Sequence, residues 1–472
     1  MSRFKQFGLV FSGVCLGVLI SLNYSANATR EAPGSLPVEE VRNLADVFNA
    51  IKQYYVDPVE DKKLIGDAVS GMVSGLDPHS VYLDADALKD LEVSTKGEFG
   101  GLGIEVSMED GFVKVVSPIE DTPAYRAGVK AGDLIIKLDE TAVKGMSLNE
   151  AVKRMRGKPK TQILLTIARK GETKPIEITV TREVIKVQSV KSKLIEPGYG
   201  YLRITQFQEQ TTADVAKHLE KIYKQGALKG LVLDLRNDPG GLLNSAIGVS
   251  AVFLPQKSLV VYTDGRTEDS RKKFYATPDD YMRGSRDDVL KNLPEAVKNV
   301  PMVVVVNGGS ASASEIVAGA LQDYKRAKVL GIQTFGKGSV QTILPISSTT
   351  GIKITTAKYF TPTGRSIQAK GIEPDFLVDE TPTGSNDVRL READLSHHLA
   401  NPNEGESSSS TPAPNRQRPK AAKVKDEEAG EAPKFEFGGK GDYQLEQAVN
   451  LLKGLPVAVL PPPEQSAPAE DK

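Results

Sequence analysis

The sequence predicts a multidomain α/β protein: a helical N-terminal region, an inserted β-rich module, a larger α/β core, and a helical C-terminal region reached through a disordered linker. Its 472 residues are enough for two or three domains. Residues 198–370 alternate short apolar runs with amphipathic helical patterns, which is typical of a layered α/β domain. Residues 96–185 carry short alternating strands and two helical patterns instead, so we expect them to form a separate module.

The first 28 residues have the pattern of a secretory signal peptide. Basic residues at 3 and 5 precede an uncharged run at 8–22, and Ala26-Asn27-Ala28 follows as a small-residue cleavage site. The run is shorter than the roughly 20 residues that span a bilayer, although an uncleaved anchor, and with it membrane association, stays open. Secretion predicts a periplasmic protein. The only cysteine, Cys15, lies inside this run, so the mature chain would contain no disulfide and no catalytic thiol.

The N-terminal region and the β-rich module differ in their apolar periodicity. Residues 36–95 are predicted to be helical, because their apolar residues recur at 3.6-residue spacing. Within residues 96–185, the stretches 111–116 and 162–169 alternate like strands. Ser147-x-x-Glu150 fits a capping box and predicts the start of a helix in this module.

Residues 190–380 form the predicted core. Its elements alternate in the order expected of a layered sheet with helices on its faces. A charged stretch at 266–296 is expected to be an excursion from this pattern. The predicted elements are strand 199–207, helix 211–225, strand 230–236, helix 242–254, strand 300–307, a helix after residue 312 and strand 327–332.

The C-terminal part changes composition. Residues 381–399 are predicted to extend the core. Residues 400–436 are rich in Ser, Pro, Lys and Glu and cannot bury enough apolar area to become ordered, which predicts a disordered linker. An amphipathic pattern predicts a helix at 440–456, and residues 457–472 form a proline-rich tail. The net charge of −1 gives no electrostatic support to a nucleic-acid role.

Three serines lie close together where a buried strand leads into a helical pattern. Residues 308–321 contain Ser310, Ser312 and Ser314. One interpretation is structural, because Ser312 and Glu315 have the spacing of a capping box. The other is catalytic, because α/β folds place reactive groups at the carboxyl ends of buried strands, where helix amides can stabilise an oxyanion.

A nucleophilic serine needs a base. Histidine is the usual one, and the chain has four: His79, His218, His397 and His398. All four lie outside the predicted loops of the core, which argues against a Ser-His-Asp triad.

Lys337 is the other candidate base. It stands between Gly336 and Gly338, directly after a predicted strand. A lysine normally titrates near a pKa of about 10.4, but desolvation can lower this pKa by several units, so a buried amine could take the proton of Ser312. A solvated surface lysine is the structural alternative. The segment 331–339 nearly matches a phosphate-binding loop, but glycine replaces the magnesium-binding residue and a strand pattern follows, which argues against nucleotide binding.

These motifs resemble those of the carboxyl-terminal processing, or tail-specific, serine proteases. The resemblance covers residues 38–395 and returns at 443–452. It is carried by the block at 307–341, "NGGSASASEIVAGALQDYKRAKVLGIQTFGKGSVQ", and by "GLDPHSVYL" (75–83), "FGGLGIEV" (99–106), "LDLRNDPGG" (233–241) and "KYFTPTGRSIQ" (358–368).

The resemblance implies a Ser/Lys dyad. Ser312 matches the nucleophile, Lys337 matches the base, and Gln341 matches the residue that orients the lysine. Ser310 and Ser314 would then be structural.

The resemblance also implies an oxyanion hole. Its donors would be the amide of Ala313 and that of one glycine in the Asp-Pro-Gly-Gly loop, either Gly240 or Gly241. The core would thus be an α/β protease core, and its reaction would need no metal or cofactor.

The β-rich module resembles a PDZ domain. Its stretch Gly101-Leu102-Gly103-Ile104 matches the carboxylate-binding loop, in which the amides of residues 102–104 would capture a chain terminus while the peptide adds as a strand. A plain glycine turn is the structural alternative. Arg156, at the end of the second helix of the module, is predicted either to signal that a peptide is bound or to be a surface cation.

The resemblance therefore implies a serine endopeptidase that cleaves proteins and peptides with free C-terminal tails. It also implies a homo-oligomer and an activating adaptor protein. Two alternatives stay open: a PDZ scaffold whose protease body is inactive, and an acyl hydrolase that does not act on polypeptides.

Overall fold

The computed structural model describes residues 37–119, 121–282, 287–382, 390–403 and 436–460. The predicted signal peptide, most of the predicted linker and the last twelve residues of the predicted tail lie outside these ranges. The chain divides into two compact units, and the boundary falls between Gly71 and Met72. None of the described helices is both long and apolar enough to cross a membrane.

The described α-helices and β-strands follow the alternation that the sequence predicts in the core. The helices are α1 Val38–Tyr54, α2 Asp61–Ser74, α3 Ala85–Lys96, α4 Pro123–Arg126, α5 Leu148–Met155, α6 Thr211–Tyr223, α7 Leu243–Phe253, α8 Pro278–Tyr281, α9 Ala296–Asn299, α10 Ala313–Asp323 and α11 Tyr443–Leu452. The strands are β1 Val81–Leu83, β2 Glu98–Gly101, β3 Ile104–Glu109, β4 Phe112–Pro118, β5 Leu134–Leu138, β6 Thr141–Ala142, β7 Gln162–Ala168, β8 Ile176–Thr181, β9 Glu183–Lys186, β10 Val190–Glu196, β11 Tyr199–Ile204, β12 Gly230–Asp234, β13 Leu259–Gly265, β14 Lys272–Tyr275, β15 Met302–Val306, β16 Lys328–Gly331, β17 Ser339–Pro345, β18 Gly351–Phe360 and β19 Phe376–Leu377.

The first unit contains α1 and most of α2. Helix α1 is amphipathic, and none of its residues is buried. Its apolar residues recur every three or four positions, and Val41 and Leu44 are both 48% exposed. An apolar face of this helix is therefore open to solvent.

The β-rich module is built on a sheet with strand order β3-β4-β5-β7-β8, with β6 paired to β5. Strand β3 is an edge of this sheet. The predicted capping box opens α5: Ser147 N–H donates to Glu150 Oε2 at 2.7 Å, and Glu150 N–H donates to Ser147 Oγ at 3.3 Å. A separate antiparallel ribbon of β2 and β9 joins both ends of the module to the rest of the unit.

The core sheet has strand order β10-β11-β12-β15-β16-β19, and its pairs are parallel from β11 onward. Strand β15 is a run of apolar residues because both of its faces are covered. Val304 and Val306 pack into the cluster that contains residues of α6, α7 and α10, whereas Val303 and Val305 pack into the cluster that contains residues of α11. Parallel strands end at one edge, so the loops after β12, β15 and β16 meet there.

A second sheet has the order β1-β18-β13-β14, with β17 paired to β18. Strand β1 lies near the end of the N-terminal region that the sequence predicts to be helical, and the sequence predicts no strand there. Three residues are too few to give a helical or a strand period, and β1 is fixed by its pairing with Gly351–Lys353.

Candidate active site

Ser312 lies at the carboxyl end of β15, in the turn that leads into α10. Its backbone adopts φ 55° and ψ −110°, a conformation that costs an L-residue about 1–3 kcal/mol and persists only where the surroundings impose it. Ser310 Oγ donates to Leu235 O at 2.8 Å, and Ser314 Oγ donates to Asp238 O at 2.9 Å. The two flanking serines therefore fasten the turn around Ser312 to the loop that follows β12.

Glu315 joins the serine turn to the loop after β16. Its side chain is fully buried and accepts four hydrogen bonds, from Ser312 N (2.7 Å), Thr334 Oγ1 (2.6 Å), Gly336 N (2.7 Å) and Lys337 N (3.0 Å). The bonds from Ser312 and Lys337 end on the same oxygen, Oε2, which holds the two residues side by side. Burial raises the pKa of Glu315 to about 7, and these hydrogen bonds act in the opposite direction. Capping α10 is thus only part of what Glu315 does.

Lys337 lies in the loop between β16 and β17. Burial, followed by the positive charge of Lys353, lowers the pKa of Lys337 to about 8. The carboxylates of Glu392, Glu315 and Asp77 act in the opposite direction. Among the described residues, Lys337 Nζ makes neither an ion pair nor a hydrogen bond. A general base must be partly neutral at neutral pH, and its amine must be free to accept a proton. Lys337 meets both requirements.

Tyr359 contacts both members of the predicted dyad. Its hydroxyl donates to Lys337 O and lies beside the Ser312 side chain. No hydrogen bond joins Ser312 Oγ to Lys337 Nζ within the described part of the chain. The structure therefore brings the two residues together through Glu315 and Tyr359 while their functional atoms stay apart.

Gln341 lies in β17, but it does not contact the Lys337 amine. Its Nε2 donates to Ser339 Oγ at 2.9 Å and to Thr355 Oγ1 at 3.2 Å. Thr355 Oγ1 donates in turn to Asp77 Oδ1 at 3.1 Å. In this arrangement Gln341 is held by the sheet and by the segment before β1.

The predicted oxyanion-hole residues lie beside the serine turn. Gly240 has φ +95°, and a methyl group added to it would lie 2.8 Å from Ala313 N and 2.9 Å from Ser312 Cβ. Gly241 instead abuts Phe207, whose oxygen would lie 2.1 Å from such a methyl group. Gly240 is therefore the glycine that adjoins Ser312. Its N–H donates to Asp238 Oδ1 at 2.9 Å, whereas Ala313 N–H has no acceptor among the described residues.

A buried ion cluster supports the loop that carries Gly240. Arg236 is fully buried and binds Asp234 and Asp442 with two hydrogen bonds each, at 2.6–2.9 Å. Asp442 is also the N-cap of α11 and accepts from Leu445 N. The C-terminal helix is thereby fastened to the end of β12, directly before the loop.

Sequence patterns assign no role to several residues at this site. Glu392 accepts from Gln368 Nε2 at 2.9 Å and lies 2.7 Å from His79 Nε2, and Gln368 Oε1 accepts from Gly338 N at 2.9 Å. His79 is therefore linked to the lysine loop through three successive contacts, although the sequence assigns it no role. His79 lies in the motif at 75–83 and Gln368 in the motif at 358–368, which was the available signal, but a motif does not show which other motifs it contacts.

The predicted peptide-binding loop has unoccupied donors. The amides of Leu102 and Gly103 donate to no acceptor among the described residues. Thr122 Oγ1 donates to Gly103 O at 2.9 Å and fixes the loop. Ile104 begins β3, which is an edge strand of the described sheet, and the half-buried apolar residues of the module include Ile104 and Val106 of β3 and Leu148 and Val152 of α5.

Arg156 lies away from the catalytic loops. Its guanidinium pairs with Asp90 at 3.3 Å and stacks 4.9 Å from the centre of the Phe99 ring. It therefore links the end of α5 to α3 and β2.

The fold and the site define a serine-type peptidase that carries a second, PDZ-type module. The family "Peptidase family S41" matches residues 198–378, "PDZ domain" matches residues 100–180, and "Activating protease CtpB N-terminal domain" matches residues 20–87.

Two curated relatives share most of the chain. It is 43% identical over 431 residues to the "Carboxy-terminal-processing protease" of Bartonella bacilliformis, which covers 90% of this chain and 91% of that protein. It is 36% identical over 380 residues to the "Carboxy-terminal processing protease CtpA" of Bacillus subtilis, covering 80% and 78%. A solved "photosystem II D1 C-terminal processing protease" is 29% identical, covers 72% of this chain and 94% of that one, and has a TM-score of 0.41. The chain belongs to the carboxy-terminal processing serine proteases with a PDZ domain, which confirms the resemblance and the fold class inferred from its motifs.

Proposed function

We propose that this peptidase is an endopeptidase with a Ser312/Lys337 dyad and that its PDZ domain captures the free C-terminal tail of the substrate. One observation carries the proposal: Ser312 and Lys337 share the acceptor Glu315 Oε2, and the Lys337 amine, which has no partner among the described residues, has its pKa lowered to about 8. Such a lysine can accept a proton at neutral pH, which an ordinary lysine cannot.

The proposed reaction uses groups that lie at this edge of the sheet. Lys337 Nζ takes the hydroxyl proton of Ser312 while Oγ attacks the scissile carbonyl. Ala313 N–H and Gly240 N–H stabilise the oxyanion, and for this the Gly240 amide must exchange Asp238 for the substrate. The Lys337 ammonium then protonates the leaving amine, and water releases the acyl group from Ser312.

Closing the dyad requires a local rearrangement. The Ser312 hydroxyl must turn toward the Lys337 amine, with which it makes no hydrogen bond among the described residues. We propose that a bound substrate favours this rearrangement, because catalytic hydrogen bonds are often long in unliganded enzymes and shorten when the substrate binds. Gln341 takes its proposed role as the residue that orients Lys337 only in that state.

The tail-capture proposal depends on the loop at 101–104. Two amides without acceptors can bind a terminal carboxylate, and the open edge of β3 can pair with the tail as an added strand. The half-buried Ile104 and Val152 would contact the last side chain. An apolar C-terminal residue is thus the preferred one.

The decisive experiment compares wild type with Ser312→Ala and Lys337→Ala. The substrate is an unstructured polypeptide with either a free or an amidated C-terminus. We expect both variants to lose at least about 10³-fold in turnover and the amidated substrate to be cleaved more slowly by wild type. Full activity of Lys337→Ala would overturn the dyad, and equal cleavage of both substrates would overturn tail capture. Turnover that survives Ser312→Ala would overturn the nucleophile assignment.

We further propose a periplasmic, homo-oligomeric enzyme. The signal-like N-terminus supports export, and the open apolar face of α1 supports pairing between subunits. Cell fractionation with N-terminal sequencing tests export and cleavage after Ala28. Light scattering of wild type and Leu44→Glu tests pairing through α1, and activity of the purified enzyme without other proteins would exclude an obligatory adaptor.

A further inference from the structure

Lys353, in β18, is a cation that has no partner in the part of the chain that the structure describes. It is half-buried, and among the described residues its ammonium makes no ion pair and no hydrogen bond. Charges that are removed from water are usually paired with a counter-charge. An unpaired one close to an active site is a candidate for binding an anionic group of the substrate.

The register of the sheet places Lys353 on the same face as Gln341. Gln341 is opposite Thr355, and Ile343 is opposite Lys353. Residues two apart on a strand share a face, so Lys353 lies about 7 Å further along β18 than Thr355. Gln341 Nε2 donates to Thr355 Oγ1, which shows that these side chains do face the same way. The Lys353 charge also lies near enough to Lys337 to lower the pKa of that amine.

Two exposed apolar side chains flank Lys353. Ile343 on β17 is 46% exposed, and Val81 on β1, the other cross-strand neighbour of Lys353, is 37% exposed. Cross-strand pairs of this kind have Cβ atoms about 4.5–5.5 Å apart. The three side chains form a strip across the sheet, apolar on both sides and cationic in the middle, two residue pairs beyond Gln341. We call this the Lys353 strip.

We propose that Lys353 is a specificity-determining residue, which pairs with an acidic side chain of the bound polypeptide a few residues from the scissile bond. Ile343 and Val81 would contact the residues beside that acidic side chain. The inference rests on the proposed function, in that a polypeptide must lie across the Ser312/Lys337 dyad. An extended chain rises about 3.3 Å per residue, so the acidic residue lies about two positions from the one opposite Gln341.

The test uses peptides that share one C-terminal tail and carry a single Glu or Gln at each of the four positions on either side of the cleaved bond. With wild type, we expect Glu at one position to lower KM about threefold to tenfold relative to Gln. We expect no gain in kcat, since a carboxylate beside Lys353 offsets its effect on Lys337. Lys353→Gln should remove the preference, and Lys353→Glu should replace it with a preference for Lys at the same position.

Lys328→Gln is the matched control. Lys328 is an exposed lysine on β16, in the other sheet, and its replacement should leave the preference unchanged. Equal KM values for Glu and Gln at every position in wild type would overturn the proposal, as would a preference that persists in both Lys353 variants.

The two proposals can fail separately. Cleavage that survives Lys337→Ala contradicts the dyad. The KM values of the Glu and Gln peptides can still be compared in that case, because the comparison requires only that wild type cleaves them. A working dyad together with no Glu preference contradicts the Lys353 proposal alone.

Discussion

The catalytic loops and the peptide-binding loop of the PDZ domain use opposite means to hold their geometry. At the catalytic loops, a fully buried carboxylate accepts four hydrogen bonds and connects two loops of the core. At the PDZ loop, two amides have no acceptor among the described residues, and the neighbouring apolar side chains are only half-buried. The hydrogen-bond donors around Glu315 are thus paired within the protein, whereas the amides of the PDZ loop are available to a ligand.

This difference predicts which kinetic constant each site controls. Buried groups that position reacting atoms act mainly on kcat, because misplacement by about 1 Å is costly in the transition state. A groove that binds a tail far from the bond being cleaved acts mainly on KM. Mutations at the catalytic loops should therefore lower kcat, and mutations at the PDZ loop should raise KM.

The largest effect is expected from Glu315→Gln. An amide offers one acceptor oxygen and places an NH2 group against donors such as Ser312 N–H and Lys337 N–H. We expect kcat/KM to fall by about 10²–10³-fold and the free energy of unfolding to fall by about 1–3 kcal/mol, because buried donors lose their acceptor. Steady-state kinetics and urea unfolding measure the two effects.

Glu150→Gln is the matched control for that variant. Glu150 occupies the same capping-box position at the start of α5 but is exposed, and Ser147 is its hydrogen-bond partner among the described residues. Its replacement should change kcat/KM by less than about twofold. Comparable losses in the two variants would show that Glu315 acts only as a helix cap.

The second effect concerns pH. Lys337 must be neutral to act as a base, and its pKa is lowered to about 8, so kcat/KM should rise with pH up to about 8 and then level off. Below pH 7, protonation of Glu315 should steepen the fall, since its pKa is raised to about 7. Lys337 alone gives about a hundredfold increase between pH 6 and pH 9, and the ionisation of Glu315 adds up to about tenfold, measured with a peptide that has no titrating side chain.

The control for the pH profile is peptide binding to the Ser312→Ala variant. A terminal carboxylate titrates near a pKa of 3.5 and stays ionised throughout this range. The dissociation constant should therefore stay constant between pH 6 and pH 9. A flat kcat/KM profile would contradict Lys337 as the base.

The sequence predicts much of the fold because the core elements are long and strongly periodic. The run Val303–Val306 and the capping box at Ser147 are local signals, and the structure confirms both. Strand β1 has only three residues and depends on pairing with a strand about 270 positions later, so no local pattern could reveal it. Sequence therefore predicts elements better than it predicts which distant segments pair.

The same limit applies to the catalytic site. Strand-end motifs point to Ser312 and Lys337 as separate candidates, and the shared acceptor Glu315 Oε2 appears only in three dimensions. The choice between Gly240 and Gly241 also depends on the three-dimensional structure. The two glycines are adjacent in sequence and differ only in their neighbours, which are Ser312 and Ala313 for Gly240 and Phe207 for Gly241.

The third effect concerns the PDZ loop. A methyl group at Gly103 would lie 2.2 Å from Thr122 Cβ, and the residue has φ +77°. Gly103→Ala should displace the loop and raise KM for tail-bearing substrates about tenfold, with kcat nearly unchanged. Gly111→Ala is the control, since Gly111 has φ +79° but no atom near an added methyl group. Equal KM values for the two variants would mean that the loop at 101–104 does not bind the tail.

The smallest effect is expected from Arg156→Ala. Its contacts with Asp90 and Phe99 are partly exposed, and such ion pairs contribute at most about 1 kcal/mol. We therefore expect kcat/KM to change by less than about threefold. Lys153→Ala, which removes the other exposed ion pair between α5 and α3, is the matched control. If Arg156 signals that a peptide is bound, its variant alone should lose the stimulation of a small ester substrate by a non-cleavable tail peptide, while binding that peptide with unchanged affinity. Equal stimulation in both variants would leave Arg156 with only a structural role between α5 and α3.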